Sequence, residues 1–390
     1  MDEHKENASQ LDTVQKKKRK HPLLRLLLLL LLVLAVILGA LWLDGRGFDG
    51  LRRLWSYSRV ETDENGLALF GQISSESDDR YALLGDGLVI LSQNRLQAFN
   101  ESGQVIYEDK VNFSSPALAQ GGGMAAAYSI GGDRVLLLTG KGLLKTLDGF
   151  QGLISAKLND AGYLAVVDGK GGYKGIVSVY TPQGEKLFDF QSASRYLMDA
   201  CVTGDNKYVA VSSLGQEDSV FISNVLLYRL SDAQLVGSYC ISDGLTLEMR
   251  GCGTHVLTVA DSCFAVGNHS GNLLQNVSFS GQYLREYSLD GDDFCALLLG
   301  RYRSGSIAAL STYDNNGQLL ASLPLTEEVR GISAKGKYLA VLYSDRVVIY
   351  TRELEEYASL SQAEYAKAVR MRSDGSLLLI GASQVWLYLP

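Results

Sequence analysis

Cys252, His255, Cys263 and His269 fall within 18 residues, and thiolate with imidazole is the donor set of zinc sites. Their spacing is that of neither a finger nor a ribbon. The segments between them read as strands, whose successive side chains face opposite ways, so strand-interior cysteines and loop histidines are the expected arrangement. Two acidic runs, Ser77-Asp78-Asp79 and Asp290-Gly291-Asp292-Asp293, carry the oxygen ligands that calcium takes. Neither closes with a glutamate at loop spacing, and both read as solvated turns. Gly169-Lys170-Gly171-Gly172-Tyr173-Lys174-Gly175 has the texture of a phosphate cradle, but a cradle needs a helix after it and this run lies between two strands.

The remaining catalytic inventory is thin. The chain has no Gly-x-Ser-x-Gly elbow, phosphate-binding P-loop or His-Glu-x-x-His helix, and beyond residue 22 it has two histidines, His255 and His269. No catalytic, cofactor-binding or metal-ligating residue is therefore assigned, and no cofactor is expected. Paired-carboxylate chemistry stays open, because glycoside cleavage needs only two carboxyl groups roughly 5 to 9.5 Å apart. Five cysteines, at 201, 240, 252, 263 and 295, leave at least one thiol unpaired, with Cys240 and Cys252 as a candidate bridge.

The elements that must position these residues begin with Leu23 to Leu43, in which thirteen of 21 residues are leucine. As a helix it spans roughly 30 Å, the thickness of a bilayer's hydrocarbon. Lys16 to Lys20 and Arg25 precede its centre, whereas Arg46, Arg52 and Arg53 are diluted by Asp44 and Asp49. The positive-inside bias puts residues 1–22 in the cytoplasm as a basic tail, 23–43 through the lipid bilayer as an uncleaved signal anchor, 44–65 as a juxtamembrane stalk, and 66–390 outside. The whole chain carries −7. Residues 1–43 hold seven Lys/Arg against four Asp/Glu, so residues 44–390 carry −10, a charge that gives the exterior part no electrostatic affinity for nucleic acid.

From Gly66 onward short strands repeat. Apolar runs start at Gly87, Met124, Tyr163, Tyr208, His255, Phe294, Tyr338 and Leu377, at intervals of 37 to 47 residues. A period near 40 with four strands per unit is the spacing of a propeller blade. In phase with these runs, NRLQAFNESGQVIYED, GIVSVYTPQGEKLFDF and SIAALSTYDNNGQLLASL each join two alternating strands through a turn at Gly103, Gly184 or Gly317. Phe279-Ser280-Gly281-Gln282 reads as a fourth copy. The chain ends at QVWLYLP, one strand short of a complete blade, and GLALFGQI at Gly66 to Ile73 is the natural donor of that strand.

These segments resemble the strand-turn-strand units of quinoprotein-like and WD40-like repeats over roughly residues 66 to 390. The layout of basic tail, one anchor and divergent exterior propeller is similar to single-pass membrane proteins of Gram-positive bacteria to which no activity is assigned. The resemblance implies a fold and a topology. The expected architecture is thus all-β, an eight-bladed β-propeller (alternatively seven) preceded by one N-terminal transmembrane helix. The expected role is binding or scaffolding for a cell-envelope protein or glycan at a propeller face, where some of the 21 tyrosines supply contact. The alternative is a carboxylate-dependent hydrolase or lyase in the channel.

Overall fold

The computed structural model describes residues 26–33, 35–36, 49–76, 78–217, 220–241 and 244–390. Two compact units are present, Met1–Ser56 and Tyr57–Pro390. In the first, residues 26–33 and 35–36 are helical, as is Asp49–Ser56, which occupies the amphipathic stretch near Leu51. Most of the 23–43 span lies outside the described residues, and no helix among those described is long and apolar enough to cross a membrane.

The second unit is an eight-bladed β-propeller. Each blade is a four-stranded antiparallel sheet, with strands in chain order from the axis outward in seven of them. The innermost strands are β2 (Arg80–Leu84), β6 (Pro116–Gly121), β10 (Leu153–Leu158), β14 (Tyr196–Val202), β18 (Thr246–Cys252), β22 (Tyr283–Ser288), β26 (Gly331–Lys335) and β30 (Ala368–Met371). The eight apolar runs of the sequence form the second strand of each blade, from β3 (Gly87–Leu91) and β7 (Met124–Ser129) to β31 (Leu377–Ile380). Their uniform apolarity has a geometric cause. Among the described residues the core divides into eight clusters, one at each junction between blades. In β7, Ala125 and Ala127 pack toward blade 1 while Ala126 and Tyr128 pack toward blade 3. A strand buried on both faces keeps no polar alternation. The same holds for Ile176 to Tyr180, whose two faces are both buried.

The ring closes as the missing strand requires. β1 (Leu67–Gln72) pairs antiparallel with β32 (Gln384–Tyr388) and completes blade 8 as its outer strand. The turns at Gly103, Gly184 and Gly317 are hairpins between third and fourth strands, all with positive φ at the glycine. The proposed fourth copy is corrected. Phe279 to Gln282 joins β21 (Leu273–Ser278), the outer strand of blade 5, to β22, the inner strand of blade 6, and no ladder pairs the two. Phe279 is buried at the blade 5 and 6 junction, so the segment is an inter-blade crossing with turn-like residues.

Candidate functional site

The four possible zinc ligands do not converge. Cys252 and His255 face one another across the β18 turn, Cys263 opens β20 (Cys263–Asn268), and His269 stacks on Tyr208 of blade 4 with ring centroids 5.1 Å apart. All five cysteines are thiols. Cys252 lies on an inner strand and Cys240 on the outer strand of the preceding blade, so the candidate bridge is not formed. The glycine run 169–175 is the loop between β11 (Leu164–Asp168) and β12 (Gly175–Tyr180), with no helix behind it.

The channel is where charged side chains collect. The inner strands carry them because their alternate residues point to the axis, where the facing side chains are polar. In β10, β14, β18 and β22 a β-bulge precedes the axial residue, placing Ser155, Asp199, Glu248 and Glu286 at matching positions. Lys157 and Glu248 pair at 2.7 Å, with side chains 24% and 32% accessible through the channel. Burial opposes the Lys157 charge, but Glu248 and Asp199 outweigh it and hold the ammonium well above its usual range. Asp199, 2% exposed, is pushed up by burial against the pull of Lys157. Desolvation opposes the charge of half-buried Asp290, yet Arg250 and Lys335 hold it below the ordinary carboxylate range.

Most of these groups are committed to holding the ring. Every junction carries a polar link near the axis: Gln120 accepts from Leu83 N–H, Tyr128 from Ala156, Asp199 from Met249, Ser288 from Ala334 and Ser333 from Met371. Asn159 donates to Thr203 O, Arg250 contacts Asp290, and Arg370 donates to Tyr81 O at 2.9 Å. Gln120 of blade 2 also donates to Asp290 of the opposite blade 6 at 3.0 Å, and Arg250 reaches Asp160 of blade 3. These bonds bridge the channel at the end where the inner strands finish.

At the other end, where inner strands start, a cavity of about 430 Å³ is lined by the loop before β2, the starts of β26 and β30, and Glu286. Tyr81, Leu118, Glu286, Ile332 and Arg370 line both this chamber and a deeper one of about 310 Å³. Burial raises the pKa of Glu286, partly offset by Arg370, whose own guanidinium is spent on Tyr81 O and Val369 O.

The same end of the ring carries a crescent over blades 3 to 6. The long hairpin of β15 (Tyr208–Glu217) and β16 (Val220–Arg229) lifts Phe221, 63% exposed. Beside it stand Tyr173 and Tyr196, then Leu245 and Leu247, then Tyr302 and Ile307, all exposed. Bases accompany them. Lys174 Nζ lies 4.5 Å from the Tyr196 ring centre, Lys170 5.5 Å from Tyr173, and Arg303 5.5 Å from Tyr283. Arg285 donates to Tyr302 O at 2.8 Å and also reaches Gly305 O, which fixes the 301–307 loop. Leu247 and Arg285 are the extra residues of the β18 and β22 bulges, so the same irregularity builds the channel wall and the crescent. Tyr57, the first residue of the unit, bonds Arg372 and Ser376 at the turn from inner to second strand of blade 8, on the opposite face.

Sequence reasoning singled out Asp79 and Asp290 but missed Glu286, the bases of the channel mouth and the crescent. The usable signal was a charge inside an otherwise apolar inner strand, as at Lys157, Glu248 and Arg370.

Fold and site define a divergent β-propeller whose channel is bridged by side chains at one end and whose loops form an aromatic and basic rim at the other. The chain belongs to the family of unknown function DUF5711, whose model matches residues 60–385. No curated protein matches the sequence. Among solved structures it is similar to the C-terminal WD40 domain of Sif2, at 15% identity and TM-score 0.57 over 84% of this chain and all of that one. A computationally designed protein, Ika8, gives 13% and 0.55 over 83% and 99%. BamB from Moraxella catarrhalis gives 11% and 0.50 over 82% and 99%. At such identities the likeness concerns the fold.

Proposed function

We propose that the protein is a membrane-anchored, extracytoplasmic binding module whose crescent over blades 3 to 6 docks an acidic face of a cell-envelope protein. The observation that carries this is the composition of the crescent. Phe, Tyr, Leu and Arg side chains stand exposed together on preformed loops, the combination that dominates binding energy at protein interfaces. Its bases contrast with a domain of net charge −10, which favours an acidic partner through steering and register. A glycan is the lesser reading. Lys170 and Lys174 already cover tyrosine faces that a sugar would have to stack against.

The anchor is the leucine-rich 23–43 span, with residues 1–22 in the cytoplasm and the propeller outside. Exposed Leu26 to Leu32 on a helical segment support it, as does the charge asymmetry of the flanks. The hydrolase reading is disfavoured by the commitments of the carboxylates at the bridged end of the channel. Glu248 is paired with Lys157 and Asp290 with Arg250.

A photo-crosslinking residue at Phe221 of the full chain in intact membranes tests the proposal. The expected outcome is capture of an envelope protein with an acidic surface, weakened by salt and lost in Tyr302→Ser with Arg303→Gln. Equal capture by that variant, or turnover of a glycan or ester panel with no capture, overturns it.

A further inference from the structure

After the inter-blade links are subtracted, a group of charged side chains around one cavity keeps most of its hydrogen-bonding capacity among the described residues. It lies at the open mouth of the channel, over blades 6 to 8 and 1. Arg80, Arg330 and Lys367 line the 430 Å³ chamber, and among the described residues each touches only backbone carbonyls at long range. Arg80 meets Asp78 O at 3.4 Å, Arg330 meets Glu364 O and Ala366 O at 3.4 and 3.5 Å, and Lys367 meets Ser75 O at 3.4 Å. Contacts of that length are weak, so these donors keep nearly all their capacity. Three carboxylates, Glu76, Asp79 and Glu286, line the same chamber, none of them in an ion pair among the described residues. Asp79 is 6% exposed; its Oδ2 takes the Glu76 N–H at 2.9 Å, and its Oδ1 is buried with no hydrogen-bond partner. Glu286 enters the chamber from the far side.

A buried carboxylate oxygen left without a donor costs free energy that a ligand hydroxyl recovers. Arg80, Arg330, Lys367 and Arg370 outnumber the three carboxylates by one, and the three uncommitted cations at the mouth favour an anionic group. The two halves of the site therefore ask for different ends of one molecule. We propose that this chamber binds a small anionic polyhydroxy compound, with its phosphate or carboxylate on Arg80, Arg330 and Lys367 and its hydroxyls donating to Asp79 and Glu286. The site is separate from the crescent and does not depend on it. An amine ligand fits less well, because the same three bases would repel it.

Titration calorimetry on the purified full chain tests this with glucose 6-phosphate, glycerol 3-phosphate and gluconate, against inorganic phosphate, glucose and cadaverine. At least one of the first three binds at least tenfold more tightly than either phosphate or glucose. Arg330→Gln with Lys367→Gln weakens it tenfold or more. Glu286→Gln weakens the polyhydroxy anion but leaves phosphate unchanged. Phe221→Ser, in the crescent, changes nothing, and thermal unfolding verifies that each variant is folded. Binding of cadaverine in preference to the anions, equal binding of phosphate alone, no binding of any probe, or indifference to the double substitution overturns the proposal. The two sources of such a ligand separate in a second arm: a free sugar phosphate saturates the site alone, whereas a polymer-borne unit requires an isolated glycan repeat to compete with it.

Discussion

Leu69 and Trp386 stand opposite one another in an antiparallel ladder, although 317 positions separate them in the chain. Every other blade is made of consecutive strands, so this ladder is where the first and last strands of the ring are paired. Its weak point is the core beneath it. Leu387 packs with Phe70, Leu83 and Leu378 at the junction of blades 8 and 1. Leu387→Ala is expected to cost about 2–5 kcal/mol, whereas exposed Leu144→Ala stays within about 0.5. Urea midpoints read both.

The hairpin glycines look equivalent in sequence and are not equivalent in space. Gly103 has φ of +78°, and a Cβ there would collide with the carbonyl oxygen of Phe70 on the closing strand. Gly184 has φ of +75°, but the added carbon meets Lys145 Cδ at 2.7 Å, a flexible side chain that can move aside. Gly184→Ala is expected to cost about 1 kcal/mol, the ordinary price of a left-handed residue. Gly103→Ala costs at least twice that, because backbone must shift as well. Equal midpoints for the two variants would show that the closing strand yields freely.

This contrast marks what the sequence could reveal. Blade number and closure were legible because burial on both faces forces an apolar second strand at a fixed period, and because a strand was missing at one end and spare at the other. The crossing at Phe279 was misread because a turn between blades uses the same Ser-Gly chemistry as a turn within one. The channel was illegible for another reason. Lys157, Glu248 and Asp199 come from three inner strands spread over some ninety residues, and only ring closure brings their side chains together.

The Lys157–Glu248 pair is a case where removing one partner hurts more than removing both. Lys157→Met strands Glu248 and Asp199 together without their cation. Because the channel admits some solvent, the expected loss is about 1–3 kcal/mol, between surface and fully buried pairs. Glu248→Gln added to it recovers part of that loss. A double-mutant cycle in urea measures the coupling, and additive losses would mean the two side chains do not interact.

Thiol chemistry should follow burial. Cys240 is exposed, while Cys201, Cys252, Cys263 and Cys295 are buried. Burial also raises the pKa of Cys201, Cys252 and Cys295, which suppresses their thiolates. A thiol reagent added to the folded chain should modify Cys240 first, and the other four only on unfolding. A reductant should leave the unfolding midpoint unchanged. A midpoint that fell on reduction would reveal a disulfide and contradict the arrangement.

Glu286 gives the pH dependence a sign. Its folded pKa is raised above the ordinary 4.5 by burial, with Arg370 only partly opposing, so the folded state binds this proton more tightly than the unfolded one. The contribution is fully present below the ordinary value and is lost as pH rises through the raised one. Asp290 works the other way. Half-buried but paired, its pKa is lowered, so its contribution is present above the ordinary carboxylate value and fades as pH falls through the lowered one. Glu286→Gln removes the first dependence and keeps the second. Relative to the unsubstituted protein, the variant should therefore gain stability as pH rises above the ordinary 4.5 and level off once the raised folded value is passed, in urea titrations. A stability difference that is flat across that range would mean that the folded state does not raise the Glu286 pKa.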